Sequence, residues 1–263
     1  MNLHNSFYMK IIGCMQVGGD CSWILNSSLT NMSKIVDEIV LVGGDVSDKS
    51  KQIINQCNNV IDTDFYSNNR SRIEWNDMNS LLQMAKKHKA DWILFMDADE
   101  TLEPKFQQTI REYVENPDVG LYKFLRYWLW STPEQYRADR PEKFSTFAYN
   151  SYLVRLVPSL YFPNPAGPLW KRLFKHVRGS EKLRPYFGRE PISGTVGKQI
   201  ETDIVLLHHA ALNREQFIKN QMWYSMLLSK RQPLDSEKDI VNQFYSILDE
   251  STLELKPINK DWL

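Results

Sequence analysis

The chain has 263 residues, enough for one large α/β domain with a full core, or a domain with a small appendage. Its 32 Lys and Arg balance 32 Asp and Glu, so no global charge draws it to nucleic acid, and any acidic site for an anionic ligand must be local and would need a metal. Three scattered cysteines, Cys14, Cys21 and Cys57, lack disulfide-framework or zinc spacing and point to a reducing, cytoplasmic compartment.

In chain order, Lys10 to Val17 reads as an apolar strand broken at Gly18-Gly19, and Cys21 to Met32 as a helix. Glu38 to Val42 is a second strand, stopped by Gly43-Gly44. Ser47 is placed to cap a helix reaching about Cys57. Val60-Ile61 is a weak third strand. Glu74 to His88 has Met78, Leu81, Leu82 and Ala85 at helical spacing. Trp92 to Met96 is a continuous apolar run of the kind that suits a strand buried on both faces. Pro104 opens the next helix. Leu121 to Trp130 and Ser151 to Leu156 read as strands separated by the polar stretch Ser131 to Lys143. Ile204 to Leu207 is a last strand, followed by a helix that Asn213 would cap from Arg214 to about Lys230. Ser236 to Asp249 predicts one more helix, with a boundary at Pro233.

Alternating strands and helices imply parallel strands with right-handed crossovers, and ligands then gather at the carboxyl ends of the strands. Three loops fall there: Gln16 to Asp20, Gly43 to Asp48, and Asp97 to Glu100. The last carries the strongest signal. Two aspartates two residues apart, just past a strand end, suit a hard divalent cation such as Mn2+ or Mg2+. That cation would bridge the oxygens of an anionic ligand and neutralise charge as a group leaves. A histidine at the end of a late strand, with His208 favoured over His209, would close the coordination sphere begun by Asp97 and Asp99. Gly44, Asp45 and Asp48 are placed to meet a nucleoside, beside Gln16, Ala98 and, on the preceding helix, Asn79. Transfer to a hydroxyl needs a carboxylate to take its proton; Asp139 is the first candidate and Glu142 its neighbour, with Glu190 and Glu201 in later loops. Trp128, Trp130, Tyr136, Tyr161, Phe162 and Trp170 would line an acceptor groove or pack a second layer.

The segment Asp91-Trp92-Ile93-Leu94-Phe95-Met96-Asp97-Ala98-Asp99-Glu100 resembles the metal-binding segment of glycosyltransferase family 2 proteins with the GT-A fold. The spacing from Lys10-Ile11-Ile12 through Asp37 to Val42 is also similar, and Leu206-Leu207-His208-His209 is similar to a late metal-histidine region of some members. The resemblance implies an α/β GT-A fold with a mostly parallel sheet. It also implies a nucleotide-diphosphate sugar donor, often a UDP-sugar, and inverting, hexosyl-type transfer in glycan or polysaccharide synthesis. Asp97 would face nucleotide and sugar, and Asp99 the metal. Two positions depart from the pattern: the base-recognising aspartate after the second strand is Gly43 here, and an Arg-Asn pair is Met78-Asn79.

The expected organisation is a transferase domain over 1–232, with a nucleotide-sugar half near 9–115 and an acceptor half near 116–232, then a helical C-terminal extension over 233–263. The expected acceptor is a glycan, lipid-linked or other hydroxyl. Met1–Lys10 lacks the order of a signal peptide, and no apolar run approaches the roughly 20 residues that span a bilayer, so membrane contact would be peripheral. Two rivals remain. A degenerate transferase would bind a sugar nucleotide or glycan without turnover. Asp97-Ala98-Asp99-Glu100-Thr101 also fits the DxDxT pattern of haloacid-dehalogenase-type phosphatases, although its place after several strand-helix units argues against that.

Overall fold

Alternation along the central strands decides which side chains meet which layer. The computed structural model describes residues 8–67, 74–139, 152–163, 192–231, 248–251 and 253–263. Strands β1 (Ile11–Gly18), β2 (Glu38–Gly44), β3 (Val60–Tyr66) and β4 (Trp92–Asp97) are parallel, in the order β3-β2-β1-β4. Ile11, Met15, Leu41, Trp92, Leu94 and Met96 enter one core. Their neighbours Ile12, Cys14, Val40, Val42, Ile93 and Phe95 enter the other, as the two-residue period of a strand requires. Both faces of β1, β2 and β4 are therefore buried, which is why these three strands read as apolar runs.

Helices α1 (Ser22–Ser33), α2 (Asp48–Gln56), α3 (Glu74–Lys87) and α4 (Pro104–Glu115) cover the two faces. Leu25, Leu29 and Met32 of α1, Ile54 of α2 and Phe106 and Ile110 of α4 pack on the first core. Met78, Leu81, Leu82 and Ala85 of α3 pack on the second. Ser47 caps α2 by accepting from Ser50 N–H, and Pro104 opens α4, both as the sequence predicts.

Beyond β4 the sheet turns mixed. Strand β5 (Glu100–Leu102) turns away from β4 and joins the sheet elsewhere; β6 (Val119–Trp130), β7 (Thr132–Arg137) and β8 (Tyr152–Arg155) extend it antiparallel, in the order β7-β6-β8-β4. Strand β9 (Lys198–His208) runs parallel to β6 and antiparallel to β5. Helix α5 (Arg214–Arg231) follows, with the Asn213 side chain accepting from Gln216 N–H. Strand β10 (Leu255–Pro257) pairs with β7.

Some elements differ from expectation. The polar stretch after Trp130 forms β7, not a loop, and β3 and β9 are longer than their apolar residues suggest. Pro233 and nearly all of the expected helix 236–249 lie outside the described residues. The described end of the expected helical extension is strand β10 and a 3-10 turn, Lys260–Trp262, and Ile258 packs with Leu129, Val205 and Leu207 of the main sheet. Among the described residues, no helix is long and apolar enough to cross a membrane.

Candidate active site

Strand β4 delivers Asp97 to the edge of the sheet in register with Gln16 of β1, and the chain turns through Ala98 and Asp99 into β5. Two clamps fix that short strand. On one side the Asn31 amide donates to Leu102 O at 2.8 Å and accepts from Leu102 N–H at 2.9 Å. On the other, β9 places His208 opposite Glu100, and His209 N–H donates to Asp99 O at 2.8 Å. The His209 ring meets Thr101 Oγ1 at 2.8 Å. Asp99 and His208, from opposite halves of the chain, thereby come together with Oδ2 and Nε2 3.6 Å apart.

Their protonation follows from their surroundings. Burial, then the charges of Asp97 and Glu100, push the Asp99 carboxyl from 3.8 up to about 7, with Arg126 opposing. Burial, then Arg126 and His209, hold the His208 imidazole well below its usual range. It is therefore neutral at pH 7, the form that ligates a cation. The Trp128 ring lies against it, with centroids 4.3 Å apart, and its buried Nδ1 has no hydrogen-bond partner among the described residues. Behind this face, the Arg126 guanidinium pairs with Glu100 Oε1 at 2.8 Å, their side chains 6% and 0% exposed. Glu100 Oε2 accepts from Asp97 N–H at 2.9 Å.

Among the described residues, no three His, Cys, Asp or Glu side chains converge to enclose a cation alone. A pair does suit one shared with phosphates, since Mg2+ is commonly held by one or two carboxylates plus substrate oxygens. Asp99, crowded by two other carboxylates, and neutral His208 fit that donor set.

The neighbouring strand ends carry a second polar group. Gln16, 4% exposed, donates to Asp77 Oδ2 at 2.7 Å, and Tyr66 Oη donates to the same carboxylate at 2.9 Å. The Tyr66 ring covers Gly44, where a Cβ would lie 2.9 Å from it. Asp45 is exposed, with φ of 49°, and its N–H donates to Tyr66 O. Asp48 projects into solvent at the start of α2, its side chain 95% exposed.

A family model described as "Glycosyl transferase family 2" matches residues 24–174, more than half of the chain. The chain belongs to glycosyltransferase family 2. The α/β architecture described above, parallel strands extended by antiparallel ones and flanked by helices, is its GT-A fold. No curated protein matches the chain. Among solved structures, it is similar to the mannosyltransferase PcManGT from Pyrobaculum calidifontis in complex with GDP-Man and Mn2+, at 10% identity and a TM-score of 0.46, over 91% of this chain and 70% of that one. It is also similar to S. aureus TarS 1-349 in complex with UDP-GlcNAc, at 10% identity and a TM-score of 0.47, over 91% of this chain and 72% of that one.

Membership sets aside the phosphatase reading of the acidic segment and gives its departures a physical cause. At Gly43 a Cβ would stand 2.2 Å from Val17 O, so this family-2 chain has no room for an aspartate there. Asn79 is not free for a donor as expected: its amide donates to Trp75 O and Phe162 O and accepts from Phe162 N–H, clamping α3 to the chain after β8. Gln16 is likewise turned onto Asp77.

Asp139, expected as a base, sits in a buried pair with Arg137, its side chain 5% exposed. Burial raises its carboxyl, but the Arg137 bonds outweigh that and hold it below the usual range. A carboxylate gripped at both oxygens is a poor proton acceptor. Glu142, Trp170 and Glu190 lie outside the described residues. Of the expected acceptor aromatics, Phe162 and Trp130 are core, Tyr136 packs on Tyr127, Tyr161 is 52% exposed, and Trp128 lies against His208.

Sequence reading missed Arg126, Asp77 and Tyr66 as site-forming groups. Arg126 left a signal: it shares a strand face with Phe124, Trp128 and Trp130, and a cation in a core-facing row implies a buried partner.

Proposed function

We propose that this family-2 chain transfers a glycosyl group from a nucleotide-diphosphate sugar, proposed as a UDP-sugar, to the hydroxyl of a glycan or lipid-linked acceptor. The observation that carries the reading is the meeting of Asp99 and neutral His208 at the carboxyl edge of the parallel strands. Asp99 and His208 would hold Mn2+ or Mg2+, which neutralises charge on the departing diphosphate. Asp97 and Ala98 would face the diphosphate and sugar, while Gly44, Asp45 and Asp48 line the nucleoside side of the same edge. Orientation of the acceptor hydroxyl and removal of its proton would fall to a carboxylate of the undescribed segment after β7, for which Glu142 is the candidate. Inverting, hexosyl-type transfer in polysaccharide synthesis at a cytoplasmic, peripherally membrane-associated site completes the proposal.

The test is thermal unfolding with UDP, GDP or ADP, with and without Mn2+, on the wild type and Asp99→Ala. A nucleotide at 100 times its dissociation constant adds roughly 2.7 kcal/mol of stability. The expected result is Mn2+-dependent stabilisation by one nucleotide, lost in Asp99→Ala. No stabilisation by any of the three would sink the reading. Nucleotide-sugar binding without turnover would instead favour the degenerate, binding-only protein, which the missing carboxylate at Gly43 supports.

A further inference from the structure

Glu100 is the third carboxylate within four residues, 0% exposed, yet it stands outside the donor set of Asp99 and His208. One of its oxygens accepts from Asp97 N–H at 2.9 Å and the other meets Arg126 at 2.8 Å. Three acidic side chains converging on one point would hold a divalent cation more tightly than two, because affinity rises with ligand charge and count. Among the described residues they do not converge to do so.

We propose that Arg126 withholds Glu100 from the cation, keeping coordination positions open for diphosphate oxygens and making metal and nucleotide binding depend on each other. The inference rests on the transferase reading of this site. Arginine suits the task. Its charge is permanent, and its planar guanidinium holds a fixed direction toward a carboxylate. Arg126 is itself held: its side chain is 6% exposed, Trp128 lies over the guanidinium at 5.2 Å, and the β6 pairing with β9 sets Arg126 beside Leu206 and Trp128 beside His208. Strand β6 thus supports both ends of the candidate metal site, through Glu100 on one side and His208 on the other. A cation weakly bound by protein alone and tightly bound with a diphosphate is a positive coupling, and coupling is reciprocal.

The test is calorimetric titration of Mn2+ into the full chain, alone and with saturating UDP, GDP or ADP. The wild type should bind Mn2+ weakly alone and at least about tenfold more tightly with the nucleotide it accepts. Arg126→Met releases the Glu100 oxygen that Arg126 holds and should bind Mn2+ alone about tenfold more tightly, with the nucleotide effect falling toward none. Combining Arg126→Met with Glu100→Gln removes the freed ligand and should restore weak metal binding, closing a double-mutant cycle. Unchanged or weaker Mn2+ binding by Arg126→Met, with coupling intact, overturns the proposal. A wild type whose nucleotide binding ignores Mn2+ overturns the transferase reading beneath it, a separate result. If Arg126→Met fails to fold, Arg126→Lys, which keeps the charge without the planar fork, should shift Mn2+ binding in the same direction, and no shift counts against the proposal.

Discussion

Asp99 is held in a state that the metal-free protein tolerates at a cost. Its folded pKa of about 7 lies above the ordinary 3.8, so the folded chain holds this proton more tightly than the unfolded one. Stability from this group is therefore complete below about pH 4 and is lost as pH rises through about 7, by at most about 4 kcal/mol. Asp99→Asn should flatten that slope between pH 4 and 8 in denaturant titrations run with a chelator; an unchanged slope would refute the assignment. At Gly43 the constraint is steric. Gly43→Ala sets a methyl against Val17 O and should cost about 1–3 kcal/mol, read from the urea midpoint. The acidic pair was legible in the sequence because a strand end and two carboxylates are local. The neutrality of His208 was not, because it depends on burial and on Arg126, which only folding brings near.

Two asparagines use the same device on different elements. Asn31 pairs both amide atoms with Leu102 of β5, and Asn79 pairs both with Phe162. Alanine at either leaves main-chain groups unpaired and should cost about 1–3 kcal/mol. Only Asn31 grips the strand that carries the acidic loop. Asn31→Ala should therefore also weaken the proposed Mn2+-dependent nucleotide binding, whereas Asn79→Ala should lower stability and leave that binding alone. A loss of nucleotide affinity in Asn79→Ala would return that residue to the donor site. Elements were legible where burial was two-sided or periodic, as in β4 and α3. Strand β7 was hidden because Thr132 to Gln135 are exposed and include Pro133, leaving no apolar alternation to read. Its pairing with β6 and β10 is what makes it a strand.

Across the whole molecule, the chain's last described residues pack against the sheet. Ile258→Ala should cost about 2 kcal/mol by emptying its place beside Leu129, Val205 and Leu207, measured as a lower melting temperature. The parallel direction of β1 to β4 follows from alternating strand and helix patterns; their order β3-β2-β1-β4 and the antiparallel pairing of β4 with β8 and β8 with β6 do not, because long-range pairing leaves no local mark. The pairing of β5 with β9 also has a temporal meaning. Glu100 meets His208 across a long stretch of intervening chain, and contacts of such separation close late, after their loop entropy has been overcome. A ribosome-bound chain that has emerged only through β8 has its acidic turn but no histidine to set beside it. On the proposed function, competence for metal would then arrive only once β9 is in place, and a chain without it would stay inert toward the proposed donor.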